Sequence, residues 1–222
     1  MKISYAVLCS TELEETKTIV EFLLANKRKE DEVVVVQDEG WNKLTVKQDR
    51  RELFYYLADL AEDDKIKFEE FVFNNNFSEI KNYLNSECSG DYILQLDADE
   101  IISKYLIESL PLILNANDIE LFYLPRINIV NGITQDHIKK WNWRLTTHTY
   151  TKEQVINYPD YQGRLYKNIS SKIMWKGKVH ERIIGAETFT YFPDHEEYCI
   201  RHVKDINRQE SQNNLYSEIH NE

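Results

Sequence analysis

The chain has 222 residues, enough to bury a sizeable core in one domain, and its 14 Tyr, 9 Phe and 4 Trp side chains argue against intrinsic disorder. Its formal net charge of −11, with no long basic run, argues against nucleic acid as the main partner, because neutralising phosphates requires clustered Lys and Arg. No apolar stretch reaches the roughly 18 residues of a membrane span, so no membrane-spanning segment is predicted.

The start of the chain and its cysteines predict a cytoplasmic protein. Residues 1–5 lack the pattern of a signal peptide and lead directly into an apolar run. Cys9, Cys88 and Cys199 are odd in number and have no metal-binding spacing, as expected of reduced, buried thiols.

The first hundred residues alternate between predicted strands and helices. Strands are predicted from short apolar runs, and helices from apolar positions three or four residues apart. The predicted elements are, in chain order, a strand over 3–9, a helix from a capping box of Thr11 and Glu14 to about 26, a strand over 33–36, a helix over 53–60, a strand over 66–73, a helix over 78–85 and a strand over 92–96. This order is typical of a parallel sheet with helices on both faces.

Acidic residues follow two of these strands. Asp97, Asp99 and Glu100 come directly after the last strand, and Asp38 follows the second. Ligands of open α/β sheets bind beyond the carboxyl ends of strands, where crowded carboxylates repel one another unless a cation lies among them. Mg²⁺ and Mn²⁺ suit such a place, since they prefer oxygen ligands and leave positions open for phosphate oxygens. We therefore predict a metal–phosphate site at Asp97 and Asp99.

Other interpretations of these acids exist. An isolated Asp-x-Asp is often a solvated turn, and Asp38 alone is more simply a turn acid ahead of Gly40. The chain has neither a Gly-x-Gly-x-x-Gly motif nor a Walker-type loop, so any bound phosphate must be held by metal and side chains.

Residues 101–222 have a less regular pattern. The predicted elements are a helix over 105–112 with Pro111 near its end, a strand over 120–124, an irregular aromatic region over 132–160, strand-like segments over 163–167, 172–175 and 189–191, and a polar helix over 205–220. No Pro- or Gly-rich linker and no internal repeat divides the chain. We therefore predict a single domain over 1–222, with a nucleotide-type half over 1–100 and a substrate half over 101–222.

Several short motifs follow one another along most of residues 3–216. They are Asn-Phe-Ser at 76–78, Gly-Asp-Tyr-Ile-Leu at 90–94, Leu-Asp-Ala-Asp-Glu at 96–100, Leu-Pro-Arg-Ile-Asn at 124–128, Tyr-Pro-Asp-Tyr-Gln-Gly-Arg-Leu-Tyr at 158–166, Val-His-Glu at 179–181, and a late His202 with Gln209, Asn213 and Tyr216. Their order and spacing resemble family 2 glycosyltransferases. The match looks closest to the branch that includes lipopolysaccharide-core β-glucosyltransferases and related viral or bacterial enzymes.

The resemblance implies both a fold and a reaction. The fold would be the GT-A type, a Rossmann-like α/β/α sandwich with a mostly parallel central sheet. The reaction would be inverting, metal-dependent transfer of a sugar from a nucleotide diphosphate donor, by family default a UDP-sugar. The acceptor would be a hydroxyl group of a glycan, a lipid-linked saccharide or a protein.

The resemblance also implies roles for residues near the donor. Asp38 would bind the nucleobase and Asp97 would face the ribose. Lys81 would lie near the donor, at a position where Arg is commoner in the family. Arg126 and Arg164 would contact the diphosphate or an acidic acceptor; the ordinary alternative for each is an ion pair.

Four further residues are candidates for metal binding and proton transfer. Asp99 would hold Mn²⁺ or Mg²⁺, and His202 would complete the metal shell or else be a hydrogen-bonded core histidine. Glu181 is the candidate base for the acceptor hydroxyl, and His180 the less favoured alternative. The competing interpretation of Glu181 is a salt bridge to Arg182.

Aromatic side chains in the second half are candidates for stacking on sugar rings. These are Trp141, Trp143 and Trp175, and core packing is the competing interpretation, favoured for Trp175.

Three other functions share parts of this pattern. A haloacid-dehalogenase-type phosphatase carries Asp-x-Asp on its first strand, followed by Thr or Val, whereas here three strands precede it and Ile101 takes that place. A nucleotidylyltransferase needs a Gly-rich, Arg-containing loop after the first strand, where this chain has Ser-Thr-Glu-Leu at 10–13. The remaining alternative is a nucleotide-sugar-binding module without activity, which would have no need of a base such as Glu181.

Overall fold

The computed structural model describes residues 1–39 and 47–221; Gly40, placed above in a turn after Asp38, lies outside them. The elements in chain order are β1 (Ile3–Cys9), α1 (Leu13–Asn26), β2 (Glu32–Asp38), α2 (Lys47–Glu62), β3 (Lys67–Phe71), α3 (Phe77–Glu87), β4 (Tyr92–Asp97), β5 (Glu100–Ile101), α4 (Lys104–Ala116), β6 (Leu121–Asn131), α5 (Gln135–Lys140), β7 (Leu145–Thr147), β8 (Gln154–Lys167), β9 (Met174–Lys176), β10 (Arg182–Ile184), β11 (Phe189–Tyr191), β12 (Ile200–Asp205) and α6 (Ile206–Asn221).

One mixed sheet runs through both predicted halves of the chain. Its order is β3-β2-β1-β4-β8-β6-β12-β5, with β7 paired to β8 and β11 paired to β6. The strands β3, β2, β1 and β4 are mutually parallel, as predicted for the first hundred residues, and β8 is antiparallel to both β4 and β6. In the described residues, β9 and β10 form a separate antiparallel pair.

The central strands are buried because helices cover both faces of the sheet. The four valines of β2, Val33–Val36, are all 0% exposed, as expected for a central parallel strand. One face packs against α1, α2 and α4 through residues such as Leu23 and Leu57. The other face packs against α3, β9 and α6 through residues such as Leu84 and Trp175. The predicted α/β architecture is confirmed.

The start of α1 differs from the predicted capping box of Thr11 and Glu14. The helix begins at Leu13, and the carboxylate of Glu12 accepts hydrogen bonds from the backbone N–H groups of Ser10 at 2.8 Å and Thr11 at 3.0 Å. The predicted box is wrong because Glu12 closes the turn between β1 and α1, and the helix therefore starts later.

The helix α4 is longer than predicted. Pro111 lies inside it, and the helix continues to Ala116. Proline removes one helical hydrogen bond, but Leu106, Leu110 and Leu114 form a buried face that extends past it. Packing of this face holds the helix together across Pro111. Among the described residues, no helix is long and apolar enough to cross a bilayer.

The second half is more regular than predicted. Residues 132–160, predicted to be irregular, contain α5, β7 and the start of β8, which runs from Gln154 to Lys167. The strand β6 continues through Pro125, which lies between the segments of β6 that pair with β11 and with β12. Proline has no backbone N–H to donate, and this is tolerated where the neighbouring strand changes from β11 to β12.

Candidate active site

A cavity of about 710 Å³ lies at the carboxyl ends of β1, β2 and β4. The strands β2 and β4 lie on opposite sides of β1, so the cavity is at the switch point where ligands bind in open α/β sheets. Residues of β6, β8, β12 and α6 form its other walls. Most of the residues with a predicted site role line this cavity: Asp38, Lys81, Asp97, Asp99, Arg126, Trp143, Arg164, Trp175, His180, Glu181 and His202. Trp141, the remaining candidate for stacking on a sugar, is not among the described lining residues.

Asp97, the last residue of β4, is held by two cations. Its Oδ2 accepts a hydrogen bond from Arg164 Nη2 at 2.6 Å, and its Oδ1 lies 3.6 Å from Lys81 Nζ. Burial by itself raises the pKa of the Asp97 carboxyl, but the charges of Arg164 and Lys81 outweigh it and hold the pKa well below its usual range. Asp97 is therefore an anion fixed in one orientation.

A β-bulge directs Arg164 into this cluster. The pairing of β6 with β8 skips Arg164, between the partners of Phe122 and Tyr123. Arg164 is 3% exposed, and it also donates to Gln95 Oε1 at 3.1 Å and to Glu100 Oε1 at 2.7 Å. Burial lowers the pKa of Arg164, but the neighbouring carboxylates outweigh this and raise it. Its guanidinium therefore acts mainly as a support for Asp97 and Glu100.

A second arginine extends the network towards β6. Arg126 donates to Glu100 Oε1 at 3.0 Å and to Asp160 Oδ2 at 2.7 Å. Asn128 Nδ2 donates to the same Asp160 oxygen at 2.8 Å. The Glu100 side chain is fully buried between Arg126 and Arg164, so the two ion pairs are shielded from water.

Strand pairing brings His202 next to Asp99. In β12, His202 is in register with Asn128 of β6 on one side and with Glu100 of β5 on the other. Its Nδ1 lies 2.9 Å from Asn128 Oδ1, and its Nε2 lies 3.3 Å from Asp99 Oδ2. Because the amide nitrogen of Asn128 donates to Asp160, its oxygen faces the imidazole and accepts from Nδ1. Nε2 is thereby directed towards Asp99.

Two further cations surround Asp99. Lys204 Nζ lies 3.7 Å and Arg208 Nη2 lies 3.4 Å from Asp99 Oδ2. Burial raises the pKa of Asp99, but His202, Lys204 and Arg208 outweigh it and lower the pKa. Burial lowers the pKa of the Lys204 ammonium, and Asp99 offsets only part of that effect. The Asp99 region therefore combines one carboxylate with three basic side chains.

Asp99 and His202 are the two described residues best placed to hold a divalent cation. Within residues 1–39 and 47–221, no group of three or more His, Cys, Asp or Glu side chains is arranged for metal binding. Two protein ligands fit a Mg²⁺ or Mn²⁺ that takes its other ligands from phosphate oxygens and water. The hydrogen bond from Nδ1 to Asn128 is the support that a metal-binding histidine usually has.

Glu181 faces the cavity in an ion pair with Lys81. Its Oε1 lies 2.6 Å from Lys81 Nζ, and this pair, rather than one with neighbouring Arg182, is found in the described residues. Lys81 is 4% exposed, and its Nζ also lies 4.5 Å from the ring centre of Trp175. The competing interpretation, a salt bridge from Glu181 to Arg182, is therefore wrong.

His180 and Asp38 occupy two other walls of the cavity. His180 has a positive φ of 53°, and its ring lies edge-on to Tyr216 with centres 5.5 Å apart. Asp38, at the end of β2, is 7% exposed and accepts a hydrogen bond from the backbone N–H of Phe73 at 3.3 Å. Each side chain is thus held by contacts within the protein.

Several residues of the cluster had no predicted role. Glu100, Asp160, Lys204 and Arg208 make the contacts described above, and Arg208 also donates to Glu12 Oε1 at 2.9 Å. Glu100 and Asp160 lie inside the motifs at 96–100 and 158–166, so their position in the sequence could have indicated that they belong to the site. Lys204 and Arg208 lie between His202 and Gln209 of the last motif, but that motif did not point to either of them.

One protein family matches most of the chain. The model of glycosyl transferase family 2 matches residues 6–168, more than half of the chain. No curated protein gives a significant match.

Solved structures of S. aureus TarS share the fold. The fragment of residues 1–349 in complex with UDP has a TM-score of 0.60 and 14% identity, and the match covers 99% of this chain and 65% of that one. The same fragment in complex with UDP-GlcNAc has a TM-score of 0.56 and 15% identity, with 92% and 59% covered. A longer TarS structure has a TM-score of 0.56 and 14% identity, with 91% and 37% covered. The present chain thus spans between about a third and two thirds of these proteins. The predicted GT-A fold is confirmed.

Proposed function

The chain belongs to glycosyl transferase family 2, and on this basis we propose that it transfers a sugar from a UDP-sugar to an acceptor hydroxyl with inversion of configuration. The observation that carries the proposal is that Asp97, Asp99 and Glu181 line one and the same cavity. The UDP and UDP-GlcNAc in the TarS complexes support uridine as the base. Within the family, the branch of lipopolysaccharide-core β-glucosyltransferases stays a prediction.

The donor occupies the half formed by residues 1–100. Asp38 binds the nucleobase, and Asp97, held rigidly by Arg164, faces the ribose. The ammonium group of Lys81 lies between Asp97 and the proposed catalytic base Glu181. A donor bound beside Asp97 would therefore lie close to this positive charge. Arg164 contributes mainly by fixing Asp97, because only 3% of its surface is exposed.

The diphosphate lies beside Asp99. A Mn²⁺ or Mg²⁺ held by Asp99 and His202 would neutralise the negative charge that develops on the departing diphosphate. Lys204 and Arg208 flank the same carboxylate and add positive charge at this end of the cavity. This part of the site is therefore suited to a polyanionic leaving group.

The acceptor hydroxyl reacts in one displacement. Its oxygen forms a bond to the anomeric carbon as the bond from that carbon to the diphosphate breaks, and its proton passes to Glu181. Lys81 holds Glu181 Oε1, which orients the carboxylate. His180, on the same loop, is the alternative base.

Hydrolysis of a panel of nucleotide sugars, without acceptor, tests the proposal. We expect slow release of nucleoside diphosphate from one UDP-sugar in Mn²⁺ or Mg²⁺, and loss of that release in EDTA. Release of inorganic phosphate from simple phosphoesters would instead indicate a phosphatase. Donor binding by calorimetry without any release, even with saccharide acceptors added, would favour the non-catalytic binding module.

A further inference from the structure

A row of aromatic rings leads from the protein surface to the cavity. His137 of α5 stacks on Trp141 with ring centres 5.3 Å apart and planes 12° apart. Trp141 packs in turn against Trp143 at 4.6 Å. Trp143 lines the cavity, whereas His137 and Trp141 are not among the described residues that do so. Trp143 is therefore the ring of this row that a bound molecule can touch.

The backbone holds Trp143 in place from both sides. The N–H of Trp143 donates to the carbonyl of Ile138 at 3.0 Å. The next residue, Arg144, donates its N–H to Asn157 Oδ1 at 2.8 Å, and its carbonyl accepts from the N–H of Asn157 at 2.8 Å. Asn142 and Asn157 adopt positive φ angles of 51° and 55°, which asparagine tolerates better than most residues. The ring is thus presented on an ordered turn.

Uncharged residues line the cavity beside the turn that carries Trp143, and Lys204, in register with Val130, lies next to them. The other lining residues contributed by this turn and by β6 and β8 nearby include Val130, Ile156 and Asn157. An indole ring has an electron-rich face, which packs well against the C–H bonds of a pyranose ring. An asparagine amide can accept or donate a hydrogen bond to a hydroxyl group. This combination suits a sugar ring. Lys140, whose Nζ lies 5.2 Å from the centre of the Trp141 ring, is not among the described lining residues.

The cations of the cavity are already committed. Within the described part of the chain, every lysine and arginine that lines it has a carboxylate partner: Lys81 with Glu181, Arg126 with Asp160, Arg164 with Asp97, Lys204 with Asp99 and Arg208 with Glu12. Lys204 and Arg208, which lie next to Asp99, are also the cations that the diphosphate of the donor would contact. No described cation of the cavity therefore remains for a phosphate or carboxylate on the acceptor.

We infer that Trp143, backed by Trp141, forms the acceptor subsite and takes an uncharged pyranose ring. The inference rests on the proposed transferase function and adds the class of acceptor. It selects a neutral glycan over a phosphorylated or acidic one. Trp143 is a specificity residue in this scheme and takes no part in cleavage of the donor.

A matched pair of acceptors tests the inference. Transfer from the donor found in the hydrolysis panel is measured to p-nitrophenyl hexopyranosides and to p-nitrophenyl glucuronide, which has a carboxylate in place of a hydroxymethyl group. Binding of the same compounds is followed separately by tryptophan fluorescence in the presence of UDP. The variants are Trp143→Ala, Trp143→Phe, and Tyr150→Ala as a control, since Tyr150 is an aromatic residue with 48% exposure outside the described lining.

We expect Trp143→Ala to raise the acceptor KM roughly tenfold or more and to abolish the fluorescence response to a neutral pyranoside. Acceptor-independent hydrolysis of the donor is measured for each variant, and the control Tyr150→Ala should keep it within about twofold of the parent. Trp143→Phe should be intermediate and Tyr150→Ala like the parent. An unchanged KM and fluorescence response in Trp143→Ala, or a preference for the glucuronide, would overturn the inference. Absence of nucleoside diphosphate release from the parent, even with saccharide acceptors added, would instead overturn the proposed function, and the fluorescence titration would still decide on the acceptor.

Discussion

The two carboxylates of the Asp-x-Asp motif are separated by one residue but are held by different elements. Asp97 contacts side chains of α3 and β8, whereas Asp99 contacts side chains of β12 and α6. The chain turns between them, so each side chain points towards its own set of cations. Substitutions at the two positions should therefore have separable effects.

For Asp99→Ala we expect loss of Mn²⁺-dependent binding of UDP. Binding without metal should not weaken, because the substitution removes a negative charge beside Lys204 and Arg208. Calorimetric titration with UDP, in Mn²⁺ and in EDTA, measures both quantities. Full metal-dependent binding in the variant would remove Asp99 from the metal site.

For Glu181→Gln we expect kcat to fall about 10²-fold or more with donor affinity unchanged. Glutamine keeps an oxygen that can accept from Lys81, so the loop should stay in place while the base is lost. Arg182→Gln is the matched control, because Arg182 is exposed and adjacent. Steady-state kinetics and UDP titrations decide the matter, and unchanged turnover in Glu181→Gln would rule this residue out as the base.

At the scale of elements, the strand β12 shows why part of the site was not predictable. Its buried positions include His202 and Lys204, at 8% and 7% exposure, while the apolar Val203 is 43% exposed. A strand that buries polar groups and exposes an apolar one lacks the alternation from which strands are predicted. The strand β12 can therefore be recognised only from its pairing with β5 and β6 in the structure, and not from its own sequence.

The strands β1, β2 and β4 were predictable for the opposite reason. Their side chains are mostly apolar on both faces, and β2 and β4 end in the acids Asp38 and Asp97. Local sequence determines where such a strand stops, and the parallel arrangement brings the ends together. Lys204 and Arg208 could not be placed in this way, because their contact with Asp99 depends on long-range pairing.

Arg208 links the C-terminal helix α6 to the start of α1. Its guanidinium donates to Glu12 Oε1 at 2.9 Å and to Glu15 Oε1 at 3.0 Å. For Arg208→Ala we expect faster hydrogen–deuterium exchange in residues 206–221, because these attachments of the helix are lost. Arg201→Ala is the control, since Arg201 makes a comparable double contact with Glu153 that does not involve α6. Equal exchange in this helix in Arg208→Ala and the parent would contradict the expectation.

At the scale of the whole molecule, stability should depend on acid groups far from the cavity. The carboxylate of Glu32, at the start of β2, accepts hydrogen bonds from Lys2 Nζ at 2.6 Å and from Ser4 Oγ at 2.5 Å. Burial raises the pKa of Glu32, but the hydrogen bonds from Lys2, Ser4 and Ser89 outweigh it and lower the pKa from 4.5 to about 2. A depressed folded-state pKa stabilises the protein above the unfolded-state value, and this contribution is lost as the pH falls through that window.

For Glu32→Gln we therefore expect a lower free energy of unfolding at pH 7, with a difference from the parent that narrows between about pH 4.5 and pH 2. Urea unfolding at several pH values measures this. Glu14→Gln is the control, because the Glu14 side chain is 81% exposed. A difference that stays constant down to pH 2 would show that the charge of Glu32 is not what stabilises β2.

The place of β8 in the sheet has a consequence for synthesis of the protein. One edge of β4 pairs with β1, but its other edge pairs with β8, which begins only at Gln154. Until the ribosome has synthesised β8, the apolar strand β4 of the nascent chain has one unpaired edge. Such edges can pair with strands of other molecules. A fragment of residues 1–150 should therefore aggregate more during expression than one of residues 1–170, in which β8 covers β4 and only the outer edge of β6 stays open. Equal solubility of the two fragments in a centrifugation assay would show that β8 is not what protects this edge.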